Sequence, residues 1–200
     1  MVAVFAAAGW WASSHLISTI THRLEPAGTP TATAPAPPAP AAVATGLHLP
    51  AHLLGFPKNS SSEARGVVSQ LSSSMRGNGE MHAPKAAVYG NMSASSVLVF
   101  GATWTKTAAQ AAASDPVRVG TGFTQAFMKA GGTTGVRSFP AGPHGGALNC
   151  GDKTLAGTPT IICAWADTTG GGGAFYLRGS ASSLNDAAAK TLQIRAVIER

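Results

Sequence analysis

Two cysteines are the side chains of this sequence best placed to do chemistry. Cys150 and Cys163 are its only cysteines, and residues 151–159 between them are typical of a turn. If the chain reverses near Ala156 and Gly157, antiparallel pairing sets the cysteines opposite each other, with Cα atoms about 4.5–5.5 Å apart, which a disulfide tolerates. The spacing therefore predicts a β-hairpin joined by a cross-strand disulfide.

Two other chemistries would involve His144. With Cys150 and Cys163 it would supply three metal ligands, but a structural zinc site needs four ligands at tighter spacing, and no fourth candidate is adjacent. His144 before two glycines also resembles the backbone donors of a hydrolase oxyanion hole, yet no Gly-x-Ser-x-Gly nucleophile motif accompanies it. We expect no enzyme, metal or cofactor, and retain as the alternative a cell-envelope hydrolase that uses His144 and Asp167.

Trp165 and Asp167 follow the second cysteine closely. Side chains alternate along a strand, so Trp165 shares a face with Cys163 and is expected to pack over the disulfide. Asp167 is expected to cap the next turn by accepting hydrogen bonds from the backbone of the glycine run 170–173. We interpret this run as a flexible hairpin loop, because a phosphate-binding loop requires Gly-x-x-x-x-Gly-Lys-Ser/Thr before a helix.

Helices and strands that would position these residues are visible in the hydrophobic pattern. Helices are predicted to begin at a capping box formed by Ser60 and Glu63, at Asp115 as the N-cap before Pro116, and at Ser183. The predicted strands are residues 86–89, 97–100, 135–139, 145–150, 160–166 and 173–178. This order predicts an α+β domain with a mostly antiparallel sheet of about five or six strands, and helices packed on one face.

The charge distribution restricts the partners. Fourteen Lys and Arg residues against eight Asp and Glu give a formal net charge of +6. The basic residues are scattered, whereas a nucleic-acid interface needs a clustered basic surface. We therefore expect no nucleic-acid partner.

The N-terminal third has a different composition. Residues 2–20 carry no Asp, Glu, Lys or Arg, and as a helix they would span about 28 Å, enough for a bilayer core. The proline-rich stretch that follows favours an extended spacer. We predict an uncleaved transmembrane anchor at residues 1–22 in contact with membrane lipid, a Pro/Ala/Thr-rich linker at 23–54 and a folded domain at 55–200. A buried core helix is the alternative for the apolar segment.

A Cys-Gly pair at residues 150–151 and a Cys-x-Trp-Ala-Asp motif at 163–167 precede the last helix. In these features the chain resembles a group of uncharacterised actinobacterial proteins with a membrane segment, a spacer and an external domain ending in such a hairpin and helix. The resemblance covers roughly residues 55–200 and implies a single-pass protein of the cell membrane, an extracytoplasmic domain, and a disulfide between Cys150 and Cys163. It implies no activity.

That group has a basic segment before its apolar run, which this sequence lacks. The nearest cation, Arg23, lies after the apolar run, so we expect a basic cytoplasmic segment upstream of Met1. The function predicted from the sequence is a membrane-anchored extracytoplasmic binding, structural or sensor module. Its envelope or membrane-protein partner is not specified by any motif.

Overall fold

A computed structural model describes residues 46–77 and 79–199, and the predicted anchor lies outside these ranges. In them the chain forms eight strands and four helices. The strands are β1 (His52–Leu53), β2 (Phe56–Pro57), β3 (Met81–Gly90), β4 (Ser96–Trp104), β5 (Thr134–Phe139), β6 (Ala147–Leu155), β7 (Thr158–Ala166) and β8 (Gly170–Leu177). The helices are α1 (Ser62–Arg76), α2 (Lys106–Ser114), α3 (Pro116–Ala130) and α4 (Leu184–Ile198).

Among these described residues, no helix combines the length and the apolar character needed to cross a bilayer. Six strands form one antiparallel sheet in the order β3-β4-β8-β7-β6-β5. Strands β5 to β8 form a meander, and the β3–β4 hairpin joins it through β8. The α+β fold with a six-stranded antiparallel sheet is therefore confirmed.

Helices cover both faces of this sheet, so the predicted packing on one face is wrong. Helices α1 and α3 lie against the face that carries Ile162 and Phe175, whereas α4 lies against the face that carries Cys163 and Trp165. Neighbouring residues of a strand point to opposite faces, and Ile162 and Cys163 are both fully buried. The unbroken apolar run 161–166 is typical of a strand buried on both faces, which requires a helical layer on each side.

The glycine run 170–173 belongs to β8, so its prediction as a hairpin loop is also wrong. A Cβ atom at Gly172 would lie 2.5 Å from the carbonyl oxygen of Phe100 and 2.6 Å from the ring of Trp165. At Gly173 it would lie 2.5 Å from the Phe100 ring. Because aromatic rings of the two neighbouring strands lie against β8, these positions have no room for a side chain.

Two of the predicted helix caps are present in the structure. The N-terminal cap of α3 is as predicted, since the Asp115 carboxylate accepts a hydrogen bond from the N–H of Arg118. Ser183 likewise caps α4 by accepting from the N–H of Asp186. Helix α2, a short and alanine-rich segment, was not predicted.

The cap of α1 is one residue later than predicted. Ser61 is the N-cap, and its Oγ accepts a hydrogen bond from the N–H of Ala64 at 3.2 Å. Oδ1 of Asn59 accepts a hydrogen bond from the N–H of Ser61 at 2.9 Å, which holds the backbone just before the helix. Only Ser60 has a glutamate three residues later, which is why the capping-box pattern predicts it, but the backbone places Ser61 at the cap.

Replacing Ser61 by alanine is expected to lower the free energy of unfolding by about 1 kcal/mol, because one N–H of the first turn loses its acceptor. Ser60→Ala is the matched control and should leave that free energy within about 0.5 kcal/mol of wild type. Urea denaturation of both variants measures the difference. A larger loss for Ser60→Ala than for Ser61→Ala would contradict the assignment of the cap.

The chain enters the domain through residues 46–50, which we name the N-terminal strap. Leu47 forms an antiparallel bridge with Glu199 just after α4. The N–H of His48 donates to the carbonyl of Ile198 at 2.8 Å. These residues at the end of the predicted linker therefore pair with the end of α4.

Candidate functional site

The predicted disulfide is confirmed. Cys150 of β6 lies directly opposite Cys163 of β7, their Cα atoms are 4.1 Å apart, and their sulfur atoms are bonded. The hairpin turns at Ala156 and Gly157, whose φ angles of 47° and 78° are those of a two-residue hairpin turn. Since both cysteines are bonded to each other, neither can join His144 as a thiolate ligand of a metal.

Trp165 lies two residues beyond Cys163 on the same face of β7. It is 1% exposed and belongs to the buried cluster that contains both cysteines. Its indole N–H donates a hydrogen bond to Oε1 of Glu199. The indole therefore connects the apolar core around the disulfide to a polar group at the end of α4.

Asp167 occupies the turn between β7 and β8, with its side chain folded back onto the backbone. Its Oδ1 accepts hydrogen bonds from the N–H of Thr169 at 2.7 Å and the N–H of Gly170 at 3.2 Å. The hydroxyl of Thr169 also donates to Oδ1 at 2.7 Å. Its second oxygen, Oδ2, faces the protein interior and accepts from Nη2 of Arg195 at 2.6 Å.

Arg195 is the centre of this polar region, and its side chain is fully buried. Besides the Asp167 carboxylate, the guanidinium contacts Glu199, with Nε donating to Oε2 at 3.0 Å. Its Nη1 donates to the carbonyls of Ala141 at 2.7 Å and Gly145 at 3.2 Å. A buried cation is tolerated when it is paired and its donors are used, and Arg195 meets both conditions.

His144 lies on the loop at residues 140–146 and faces the same region. Its Nδ1 is 3.6 Å from Oε2 of Glu199, and about a quarter of its side chain, 28%, is exposed to solvent. Burial lowers the pKa of His144, and the positive charge of Arg195 lowers it further. Burial raises the pKa of Glu199 to about 7, with a contribution in the same direction from the Asp167 charge.

We name Arg195, Asp167, Glu199, Trp165 and His144 the Arg195 cluster. Asp167, Trp165 and His144 are candidates from the sequence alone, whereas Arg195 and Glu199 are not. Arg195 lies on the buried side of α4, four residues after Thr191 and between two buried isoleucines, and Glu199 follows four residues later as the C-cap residue of the helix. A charged pair in register with an apolar helix stripe is a signal of a buried ion pair, although it does not name the partners.

The geometry gives little support to His144 and Asp167 as a catalytic pair. In the described ranges, no hydrogen bond joins the two side chains. Asp167 uses one oxygen for three donors of the turn and the other for Arg195, so it would have to break an ion pair to accept a proton from a substrate. A general base needs a free lone pair within reach of its proton.

The arrangement instead joins separate parts of the chain. Through Arg195 and Glu199, the end of α4 binds the turn after β7 and the loop at residues 140–146. Through the backbone of Glu199 it also binds the N-terminal strap. Comparisons with protein-family models, with curated proteins and with solved structures find no match to this chain.

Proposed function

We propose that the chain is a membrane-anchored extracytoplasmic protein whose folded domain binds or senses a component of the cell envelope. The Cys150–Cys163 disulfide carries this proposal, because such bonds form and persist in oxidising compartments and are rare in reducing ones. Both cysteines are fully buried and directly paired in the sheet, so the bond is part of the fold.

The sequence before the domain supports the same location. Residues 1–22 would hold the chain in the bilayer, and the proline-rich linker would keep the domain at a distance from the lipid. Within the described residues, the polar groups of the Arg195 cluster are used for one another and for backbone carbonyls. Because both oxygens of Asp167 are in use, this arrangement weighs against the alternative of a cell-envelope hydrolase that uses His144 and Asp167.

Thiol labelling of natively produced protein tests the compartment. After denaturation without reductant, neither cysteine is expected to react, because both sulfurs are in the bond; after reduction, both should react. The Cys150→Ser variant is the control, since its single remaining thiol should react without reduction. Two freely reacting thiols in the unreduced wild type would contradict an oxidising compartment.

Protease treatment of intact cells that produce the protein tests its membrane topology. An extracytoplasmic domain should be released by protease added outside the cells, while a cytoplasmic marker protein stays intact. Membrane fractionation should find the untreated chain with the membranes. A domain that is protected in intact cells and digested only after lysis would contradict the proposed location.

A further inference from the structure

The charges of the Arg195 cluster do not balance unless it holds one additional proton. Asp167 and Glu199 are two carboxyl groups, and both face the single guanidinium of Arg195. The three side chains are 6%, 7% and 0% exposed, respectively. With both carboxyls ionised and His144 neutral, the buried cluster has a net charge of −1, which is costly away from water. One proton makes it neutral.

The contacts indicate where this proton resides. Both oxygens of Asp167 already accept hydrogen bonds, Oδ1 from three donors of the turn and Oδ2 from Arg195, so neither has an acceptor in place for an additional proton. Glu199 accepts only from Trp165 and from Nε of Arg195, and its Oε2 faces Nδ1 of His144. The proton therefore belongs to the pair formed by Glu199 and His144.

The directions of the two pKa shifts agree with this placement. Burial raises the pKa of Glu199 to about 7, and burial lowers the pKa of His144, so the carboxyl group holds the proton below neutral pH. Lys85 of β3 is a charged group that contacts the strap, since its ammonium donates to the carbonyl of Leu47 at 2.6 Å. No further charged side chain contacts Glu199 among the described residues.

The same residue is mechanically connected to two segments. The backbone of Glu199 bridges to Leu47 in the N-terminal strap, and the N–H of His48 donates to the adjacent carbonyl of Ile198. Arg195, which binds Glu199, also holds the carbonyls of Ala141 and Gly145 in the loop at residues 140–146. A change of charge at Glu199 therefore acts where the strap and the loop meet α4.

We propose that the proton shared by Glu199 and His144 is a pH-sensitive latch, whose loss loosens the N-terminal strap and the loop at residues 140–146 from the end of α4. In the opening step the O–H bond of Glu199 breaks and the proton passes to solvent water, with the partly exposed His144 as the route. The buried cluster is left with a charge of −1. This latch goes beyond the proposed function and does not depend on the compartment.

The sign of the pH dependence follows from the raised pKa. Glu199 binds a proton more tightly in the folded chain, where its pKa is about 7, than in the unfolded chain, where its ordinary value applies. Its contribution to stability is fully present below about pH 4.5 and is lost as the pH rises through about 7. His144, with its lowered pKa, acts oppositely at acid pH, so the latch should be tightest in mildly acidic solution.

Hydrogen exchange of the full chain, read by mass spectrometry, tests the latch. After correction for the intrinsic exchange rate, peptides that contain His48 are expected to lose protection by up to about tenfold between about pH 6 and about pH 8, because the proton on Glu199 is lost over this interval. A peptide that contains Asn59, whose N–H donates to Val88 at 2.8 Å in another part of the fold, should stay constant.

The variant Glu199→Gln keeps an uncharged acceptor in place and is expected to remain protected at both pH values. Its matched control is Glu63→Gln on the exposed side of α1, which should retain the wild-type pH dependence. The latch would be overturned if the His48 peptides of the wild type were equally protected at both pH values. It would also be overturned if Glu199→Gln lost protection with rising pH as the wild type does.

A second measurement covers the case in which Glu199→Gln does not fold. Carbon-13 NMR of the glutamate side chains in the wild type should show one carboxyl group, that of Glu199, which titrates near pH 7. The ring signals of the neighbouring His144 should shift over the same pH range, because the charge beside the ring changes. If every glutamate titrates at its ordinary value, the latch is wrong. Both readouts are independent of the membrane, so a failure here is distinguishable from a failure of the proposed location.

Discussion

Replacing Arg195 by methionine is expected to lower the free energy of unfolding by about 3–5 kcal/mol. Methionine fills much of the same volume but leaves Asp167 and Glu199 buried without their cation. The carbonyls of Ala141 and Gly145 would also lose their donor. Guanidinium denaturation of the wild type and the variant at neutral pH measures the loss.

Arg118→Met is the matched control for this prediction. Arg118 pairs with Asp115 at 2.9 Å, but the two side chains are 39% and 45% exposed. Such a surface pair contributes little to stability, because water and salt screen it and both side chains lose freedom when they meet, so Arg118→Met is expected to have a much smaller effect than Arg195→Met. Equal losses for the two arginine variants would show that burial of the Arg195 cluster does not determine its contribution.

Replacing Gly172 by alanine is expected to lower the free energy of unfolding by about 3 kcal/mol. The added methyl group would lie 2.5 Å from the Phe100 carbonyl and 2.6 Å from the Trp165 ring, and the nearer atom is backbone. Strands β4 and β8 would have to separate to make room, which weakens their hydrogen-bond ladder. Chemical denaturation measures this loss, and a change in near-ultraviolet circular dichroism would report the displaced Trp165.

Gly122→Ala provides the opposite control. Gly122 lies within α3, and a Cβ atom there would have no neighbour within 4 Å. Alanine is the better helix former, so this variant is expected to gain about 0.5–1 kcal/mol. If alanine at Gly172 is tolerated as well as alanine at Gly122, the close approach of the aromatic rings to β8 is wrong.

The parts of the fold that were predicted correctly depend on residues close together in the chain. The caps by Asp115 and Ser183 each involve a partner three residues away. The disulfide joins residues 13 apart across a two-residue turn, so local hairpin geometry is enough to align Cys150 with Cys163. Such interactions can be predicted from the sequence because both partners lie at a short and characteristic spacing.

Apart from the one-residue error at the cap of α1, the wrong predictions concern neighbours that are distant in sequence. Gly170 to Gly173 have the composition of a loop, and they form a strand because rings from β4 and β7 lie against them. The second helical layer covers the sheet because residues 161–166 of β7 are apolar on both faces. Neither arrangement can be inferred from local propensity, since glycine in a strand is accepted only where another part of the chain approaches closely.

By itself the sequence determined the caps of α3 and α4, the hairpin register, the disulfide and the α+β class, because interactions over short separations are encoded in spacing. Only the tertiary structure decided the Arg195 cluster. Arg195 binds Asp167, Gly145 and Ala141, which are 28, 50 and 54 residues away. A buried charge takes whichever partners the folded chain brings within hydrogen-bond distance, and that depends on how the sheet and α4 pack together.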